Sequence, residues 1–212
     1  CGRCGLKTAD LCGVGIGVPG MIDREKGEVV YSNNLKWSHF PVKERVETLT
    51  GMRVSICNDA NVAALGEARF GAGEGVKNVV MLTLGTGVGG GMILDGRLYE
   101  GNSGAGAELG HLVVVKDGVR CTCGRRGCLE TVASIPALLR RCRDKLAMPQ
   151  LDFEKVRQLY GEGDQTVRHE VATVVDFLGI AITNLLNNNP VQQLVVTGGI
   201  LRLGQDFQTS LE

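Results

Sequence analysis

Neither sign of charge prevails in this sequence: 23 Lys and Arg stand against 23 Asp and Glu across 212 residues, which gives no reason to expect a nucleic-acid or membrane surface as a partner. No apolar run stands out as long enough to span a bilayer, no signal-peptide pattern or initiator methionine opens the chain, and low-complexity segments are absent. Histidine is scarce, with three in all. Cysteine is not scarce, at eight, but its placement argues against a secreted disulfide scaffold, because three fall between residues 121 and 128 and the others are scattered. A reducing, cytoplasmic location is the expectation. Cys1 and Cys4 form a lone C-x-x-C with no second ligand pair nearby and read as unpaired surface thiols. Glycine is plentiful at 31 residues, clustered in short runs where backbone must approach something closely.

One segment concentrates the chemistry. Residues 104–130, GAGAELGHLVVVKDGVRCTCGRRGCLE, carry Glu108, His111, three clustered cysteines (Cys121, Cys123, Cys128) and Glu130. Zn²⁺ takes four tetrahedral ligands from thiolate sulfur and imidazole nitrogen, and a C-x-C-x4-C loop turned by Gly124 and Gly127 can supply three of them. His111 is the histidine near enough in sequence to be the fourth. The alternatives are three reduced structural thiols or a disulfide, although Cys121 and Cys123 are too close for a relaxed bridge to each other. With four protein ligands the metal would be structural, and it would orient the imidazole.

ELGH followed by CTCGRRGCLE resembles the signature of the ROK (repressor, open reading frame, kinase) family of sugar kinases and sugar-responsive repressors. The resemblance implies that His111, Cys121, Cys123 and Cys128 bind zinc while Glu108, His111 and Glu130 hold sugar hydroxyls. It also implies an α/β, ribonuclease-H-like and actin-like fold of two lobes, with substrate and nucleotide in the cleft between them. On that reading residues 1–72 form an incomplete N-terminal lobe, and residues 73–212 form a second lobe with the phosphate loop, the zinc site and the adenosine loop.

Along the chain, CGVGIGV (12–18) reads as a buried strand before the Pro19-Gly20 turn, and residues 21–31 read as a hairpin. The SNNLKW loop (32–37) offers Asn34 and Trp37, either as sugar contacts or as a turn asparagine and a partly buried indole; a similar loop beside the sugar in ROK kinases favours the first for Asn34. A helix from Pro41 should bury Val42, Val46 and Leu49 and stop at Gly51. RVSIC (53–57) is a strand that runs into Asn58-Asp59 and a helix through Phe70, the strand-to-helix junction where open α/β sheets gather function. Asp59 alone would read as a simple N-cap. The likeness of NDANVAALGE to the corresponding ROK segment makes Asp59 the general base for the attacking sugar hydroxyl and Asn58 a sugar contact.

KNVVMLTL (77–84) is a strand followed by Gly85-Thr86-Gly87-Val88-Gly89-Gly90-Gly91. A dinucleotide fingerprint must open a helix, whereas MIL, DG and RLY follow here as strand, turn and strand, so the glycines join strands. They leave either an unliganded tight hairpin or a set of N–H groups facing a phosphate, with Gly85, Thr86, Gly87, Gly89 and Gly90 as candidates. The run resembles the second phosphate loop of actin-like sugar kinases. Further on, a helix starts at Ser134-Ile135-Pro136, with Arg140, Arg141 and Arg143 expected on a solvated face. A long core helix spans about 166–187, a strand covers 193–197, and Gly198-Gly199 resemble the family's adenosine loop.

A D-x-G-G-T phosphate loop at the start and a final helix returning to the first lobe are missing from the expected pattern. The reading is therefore of an interior portion, truncated at both ends and weak or inactive in ATP turnover by itself. The resemblance implies ATP, Mg²⁺ and structural Zn²⁺ as cofactors, a hexose as the small-molecule partner, no nucleic acid or membrane, and a homo-oligomer at full length. A sugar-responsive repressor with an upstream DNA-binding segment is the rival. Intact Asp59 and the undegraded glycine loop favour the kinase.

Overall fold

The computed structural model describes residues 5, 7, 10–101 and 106–211; the Cys1–Cys4 pair and the stretch 102–105 lie outside them. The first strands are β1 (Val14–Val18), β2 (Met21–Asp23), β3 (Glu28–Ser32) and β4 (Trp37–Phe40), followed by α1 (Val42–Thr50), β5 (Val54–Asn58) and α2 (Asp59–Phe70). β1 pairs in parallel with β5, while β2, β3 and β4 form an antiparallel meander. Val18, Ile22, Val29, Val42, Val54 and Ile56 close one apolar core over these elements. Trp37, expected in a loop, lies in β4 and stacks on Phe40 at a centroid separation of 4.2 Å, so its indole packs this core. α1 buries Val42 and packs Val46 against the same core, but Leu49 is 83% exposed; the expected apolar face is lost only at the helix end.

The second sheet has the order β8-β7-β6-β9, from β6 (Val79–Leu84), β7 (Val88–Leu94), β8 (Arg97–Leu98) and β9 (Gln193–Thr197). β6 is antiparallel to β7 and parallel to β9. The parallel pairing requires a crossover, and the chain supplies it with α3 (Glu130–Ala133), α4 (Ile135–Leu146), α5 (Phe153–Glu162) and α6 (Gln165–Asn188); α7 (Gln205–Thr209) follows β9. α5 was not foreseen, although Asp152 caps its start and Gly163 its end. The largest core packs Val167, Val171, Val174, Leu178 and Ala181 of α6 against Leu138 and Cys142 of α4, Val156 of α5 and Phe207 of α7. By length and composition alone α6 is apolar enough to cross a membrane, contrary to the sequence expectation. Its apolar stripe is the seam of this core, and Glu170 is buried on the same helix.

Two expectations change once side chains are placed. The arginines of α4 do not form a free solvated face: Arg140 donates to Thr131 O, Arg143 to Leu151 O, and Arg141 to both Val132 O and the Glu170 carboxylate. Gly89, Gly90 and Gly91 lie inside β7, paired with Thr83, Leu82 and Met81. A Cβ at Gly91 would sit 2.5 Å from Ala64 Cβ, and one at Gly90 would sit 2.7 Å from both Leu109 Cδ1 and Met81 O. These glycines let α2 and the 109–111 turn lie directly on the strand. α2 therefore packs Ala64 and Ala68 against Val79, Met81 and Ile93 of the second sheet while its first residues meet β1 at Gly17.

Candidate active site

The junction of β5 and α2 is built by Asn58. Its backbone is extended, its Oδ1 accepts from Ala60 N and Asn61 N at 3.0 and 3.2 Å, and its Nδ2 donates to Gly20 O at 3.1 Å. The cap that sequence reasoning offered as the alternative for Asp59 thus belongs to Asn58. Asp59 is exposed at the first helical position; its Oδ1 accepts from Ala60 N at 2.9 Å and its Oδ2 has no hydrogen-bond partner among the described residues.

Asp59 faces a small cavity of about 100 Å³ lined by Gly20, Met21, Asn58, Ala60, Asn61, Gly89, Gly90, Gly106, Ala107 and Glu108. The cavity brings together Asn58, Asp59 and Glu108 of the expected sugar contacts. Asn34 is exposed in the β3–β4 turn and does not line it, and neither His111 nor Glu130 reaches its wall. Asn61 was missed. It is 3% exposed, and its Oδ1 is buried with no partner among the described residues, an acceptor open to a bound group. The signal was the second asparagine of NDAN, one helical turn past the cap.

The glycine run divides in two. Only Gly85–Gly87 form the turn between β6 and β7, closed by Gly85 N donating to Gly87 O at 2.9 Å. Gly89 and Gly90 lie within β7, beyond the turn, where a Cβ on Gly89 would meet Thr83 and one on Gly90 would meet Leu109. Gly198 sits beside the turn with φ of +113°, and a Cβ there would collide with the Leu84 backbone. The register Thr83↔Thr197 carries both loops to the same sheet end, so Gly198-Gly199 and Gly85–Gly87 are neighbours.

His111 closes a short 3-10 turn, Leu109–His111, and the loop after it returns through the bridges Val113↔Cys128 and Arg120↔Arg126. His111, Cys121, Cys123 and Cys128 offer ligand atoms that all lie within 4.8 Å of one another. Nδ1 of His111 is 3.5 Å from Cys121 Sγ, and Cys123 and Cys128 Sγ are 3.6 Å apart. Tetrahedral zinc with ordinary bond lengths sets such ligand atoms about 3.6–3.8 Å apart, so the donor set fits the ion in both kind and spacing. Burial, with the Cys123 and Cys121 thiols beside it, pushes Cys128 up to about 12, and a cation is what lets such crowded sulfurs ionise. Cys123 is drawn down, first by the Arg125 backbone N–H.

Glu130 opens α3 two residues after Cys128. Its Oε2 accepts from Val88 N at 3.1 Å, and its Oε1 lies 4.0 Å from Cys121 Sγ. Ile135 N donates to Gly85 O at 2.9 Å, so the helices behind the cysteine loop hold both sides of the glycine turn.

The sequence model of the ROK family matches residues 5–210. A glucokinase of Halalkalibacterium halodurans is 38% identical over 92% of this chain and 64% of its own length. The chain therefore spans less than two thirds of that relative. A xylose repressor of Bacillus subtilis is 34% identical over 90% of this chain and 49% of its own length. The crystal structure of a ROK family glucokinase from Streptomyces griseus in complex with glucose and AMPPNP superposes with a TM-score of 0.84 at 33% identity, covering 95% of this chain and 70% of that one.

Proposed function

The chain belongs to the ROK family, with the actin-like α/β fold of its sugar kinases, and on that premise we propose that the protein transfers a phosphoryl group from ATP to a hexose. The observation that carries the reading is the unpartnered Oδ2 of Asp59 in the cavity that Glu108 also lines. Phosphoryl transfer demands little covalent chemistry of the protein, so a positioned carboxylate and electrostatic stabilisation suffice. Asp59 takes the proton of the attacking hydroxyl as the oxygen bonds to the γ-phosphorus, and ADP leaves. Asn58, with one N–H left after its contact to Gly20, and Glu108 hold neighbouring hydroxyls. Asn34, His111 and Glu130 join them only if the cleft closes further than the cavity described above.

The Gly85–Gly87 turn receives the phosphates through backbone N–H groups and the Thr86 hydroxyl, and Gly198-Gly199 receive the adenosine. Bound with ATP, Mg²⁺ would neutralise charge developing on the phosphate oxygens. Zinc held by His111, Cys121, Cys123 and Cys128 would supply no catalysis, because four protein ligands leave no open position; it would fix the imidazole and the chain leading to Glu130. The donor is supported by the likeness to the Streptomyces griseus kinase, whose structure holds AMPPNP.

The test is ADP release with ATP and Mg²⁺ against a panel of hexoses, for the complete open reading frame that carries this chain and for its Asp59→Asn variant. Sugar-dependent turnover that the variant abolishes supports the kinase. The second reading, a sugar-responsive repressor, is favoured by the match to the Bacillus subtilis protein; sugar binding without turnover would select it.

A further inference from the structure

In the Gly85–Gly87 turn only Thr86 carries a side chain, and beyond the internal bond from Gly85 N to Gly87 O the backbone is held from outside. Val88, the first residue after the turn, stands opposite Leu84 in the ladder, and its N–H donates to Glu130 Oε2 at 3.1 Å. A Cβ on Gly87 would lie 2.5 Å from the same oxygen, so the carboxylate is seated against the turn itself. Glu130 cannot drift, because Leu129 N donates to Leu112 O at 2.8 Å and Leu129 is fully buried. Cys128, two residues earlier, belongs to the four-residue ligand cluster.

We propose that Glu130 is a positioning residue for the nucleotide, acting as the acceptor that locks the Gly85–Gly87 turn in its phosphate-receiving shape. The inference rests on the kinase reading and deepens it. The family resemblance makes Glu130 a sugar contact; the geometry gives one of its two oxygens to the phosphate turn. A rigid turn presents its N–H groups without an ordering cost when phosphate arrives, whereas a loose glycine turn must be ordered at that moment.

The test compares Glu130→Ala with Glu130→Gln in the full chain. Glutamine keeps an acceptor oxygen for Val88 N but loses the charge, and alanine loses both. Affinity for a non-hydrolysable ATP analogue, measured without sugar, should fall about tenfold in Glu130→Ala and stay within about threefold of the parent in Glu130→Gln. Amide exchange at Val88 should accelerate in the alanine variant and remain slow in the glutamine variant. Unchanged affinity in both variants, or equal loss in both, would overturn the proposal. If the parent protein binds no nucleotide, the kinase reading fails by itself, and exchange at Val88 still decides whether Glu130 clamps the turn.

Discussion

Asn58 caps the helix that Asp59 begins, accepting two backbone N–H groups with one oxygen and donating to Gly20 O with its amide. The two adjacent residues therefore divide structure and chemistry between them. Asn58→Ala should cost about 1 kcal/mol of stability, as N-cap losses do, and should also release the Gly20 turn. Asp59→Asn should change stability by less than about 0.5 kcal/mol while abolishing sugar-dependent ADP release. Denaturant unfolding and turnover on the same two variants check both halves. Similar destabilisation by both would return Asp59 to a structural role.

Arg141 and Glu170 join α4 to α6 in the largest core. Arg141 Nε donates to Glu170 Oε2 at 2.8 Å, Lys145 Nζ reaches Oε1 at 2.5 Å, and the Glu170 side chain is 2% exposed. Arg141→Ala leaves the buried carboxylate to half-exposed Lys145 alone and should lose about 3 kcal/mol, or about 6–12 °C in Tm for a chain of this size. Lys145 is half exposed, and Lys145→Ala should cost clearly less. Thermal unfolding of the two variants ranks them.

The same cluster sets an acid limit. Burial raises the Glu170 carboxyl, but the hydrogen bonds and charges of Lys145 and Arg141 outweigh it and hold the group below its ordinary value. A folded pKa below the unfolded one contributes stability that is fully present above the unfolded glutamate value, about 4.3, and is lost as pH falls through the lowered folded value. Unfolding free energy should therefore drop more steeply below about pH 4 in the parent than in Glu170→Gln. Identical acid slopes would mean that another carboxylate governs.

Local chemistry was legible in the sequence and tertiary pairing was not. The clustering of His111, Cys121, Cys123 and Cys128 could be read because they sit close along the chain and each residue type has few other uses. β6 was legible from a continuous apolar run, and α6 from apolar residues repeating at helical spacing. The Arg141–Glu170 pair spans 29 positions, and no periodicity within α4 distinguishes an arginine turned inward from one in water. α5 has Val156 as its single buried residue, too few for a stripe, although Asp152 and Gly163 mark its ends. The glycine run was half legible, because glycine serves equally for a turn that admits phosphate and for a strand that admits a helix.

Metal removal tests the donor set directly. The protein should hold about one zinc per chain, measurable by elemental analysis, and Cys128→Ser should lose it together with thermal stability, because binding energy at such a site is folding energy. A strong chelator should reproduce the loss in the parent and have no effect on the variant. A metal-free protein of unchanged stability would leave three reduced thiols as the correct reading.

Gly91→Ala separates the packing role of the glycines from nucleotide binding. The new methyl would meet Ala64 Cβ at 2.5 Å, and both atoms are fixed to regular backbone, one in β7 and one in α2, so neither can swing aside. Overpacking of this kind costs about 1–3 kcal/mol, and the strain would push α2, with Asp59 at its head, off the second sheet. Ala64→Gly removes the opposing methyl at a helix-propensity cost of about 1 kcal/mol, so the double variant should regain turnover even though its stability stays below that of the parent. The measurement is Tm and ADP release for both single variants and the double. Restored turnover at reduced stability is expected if α2 must lie flat on β7 to aim Asp59. Activity that stays lost in the double variant would instead give Gly91 a direct part in the site.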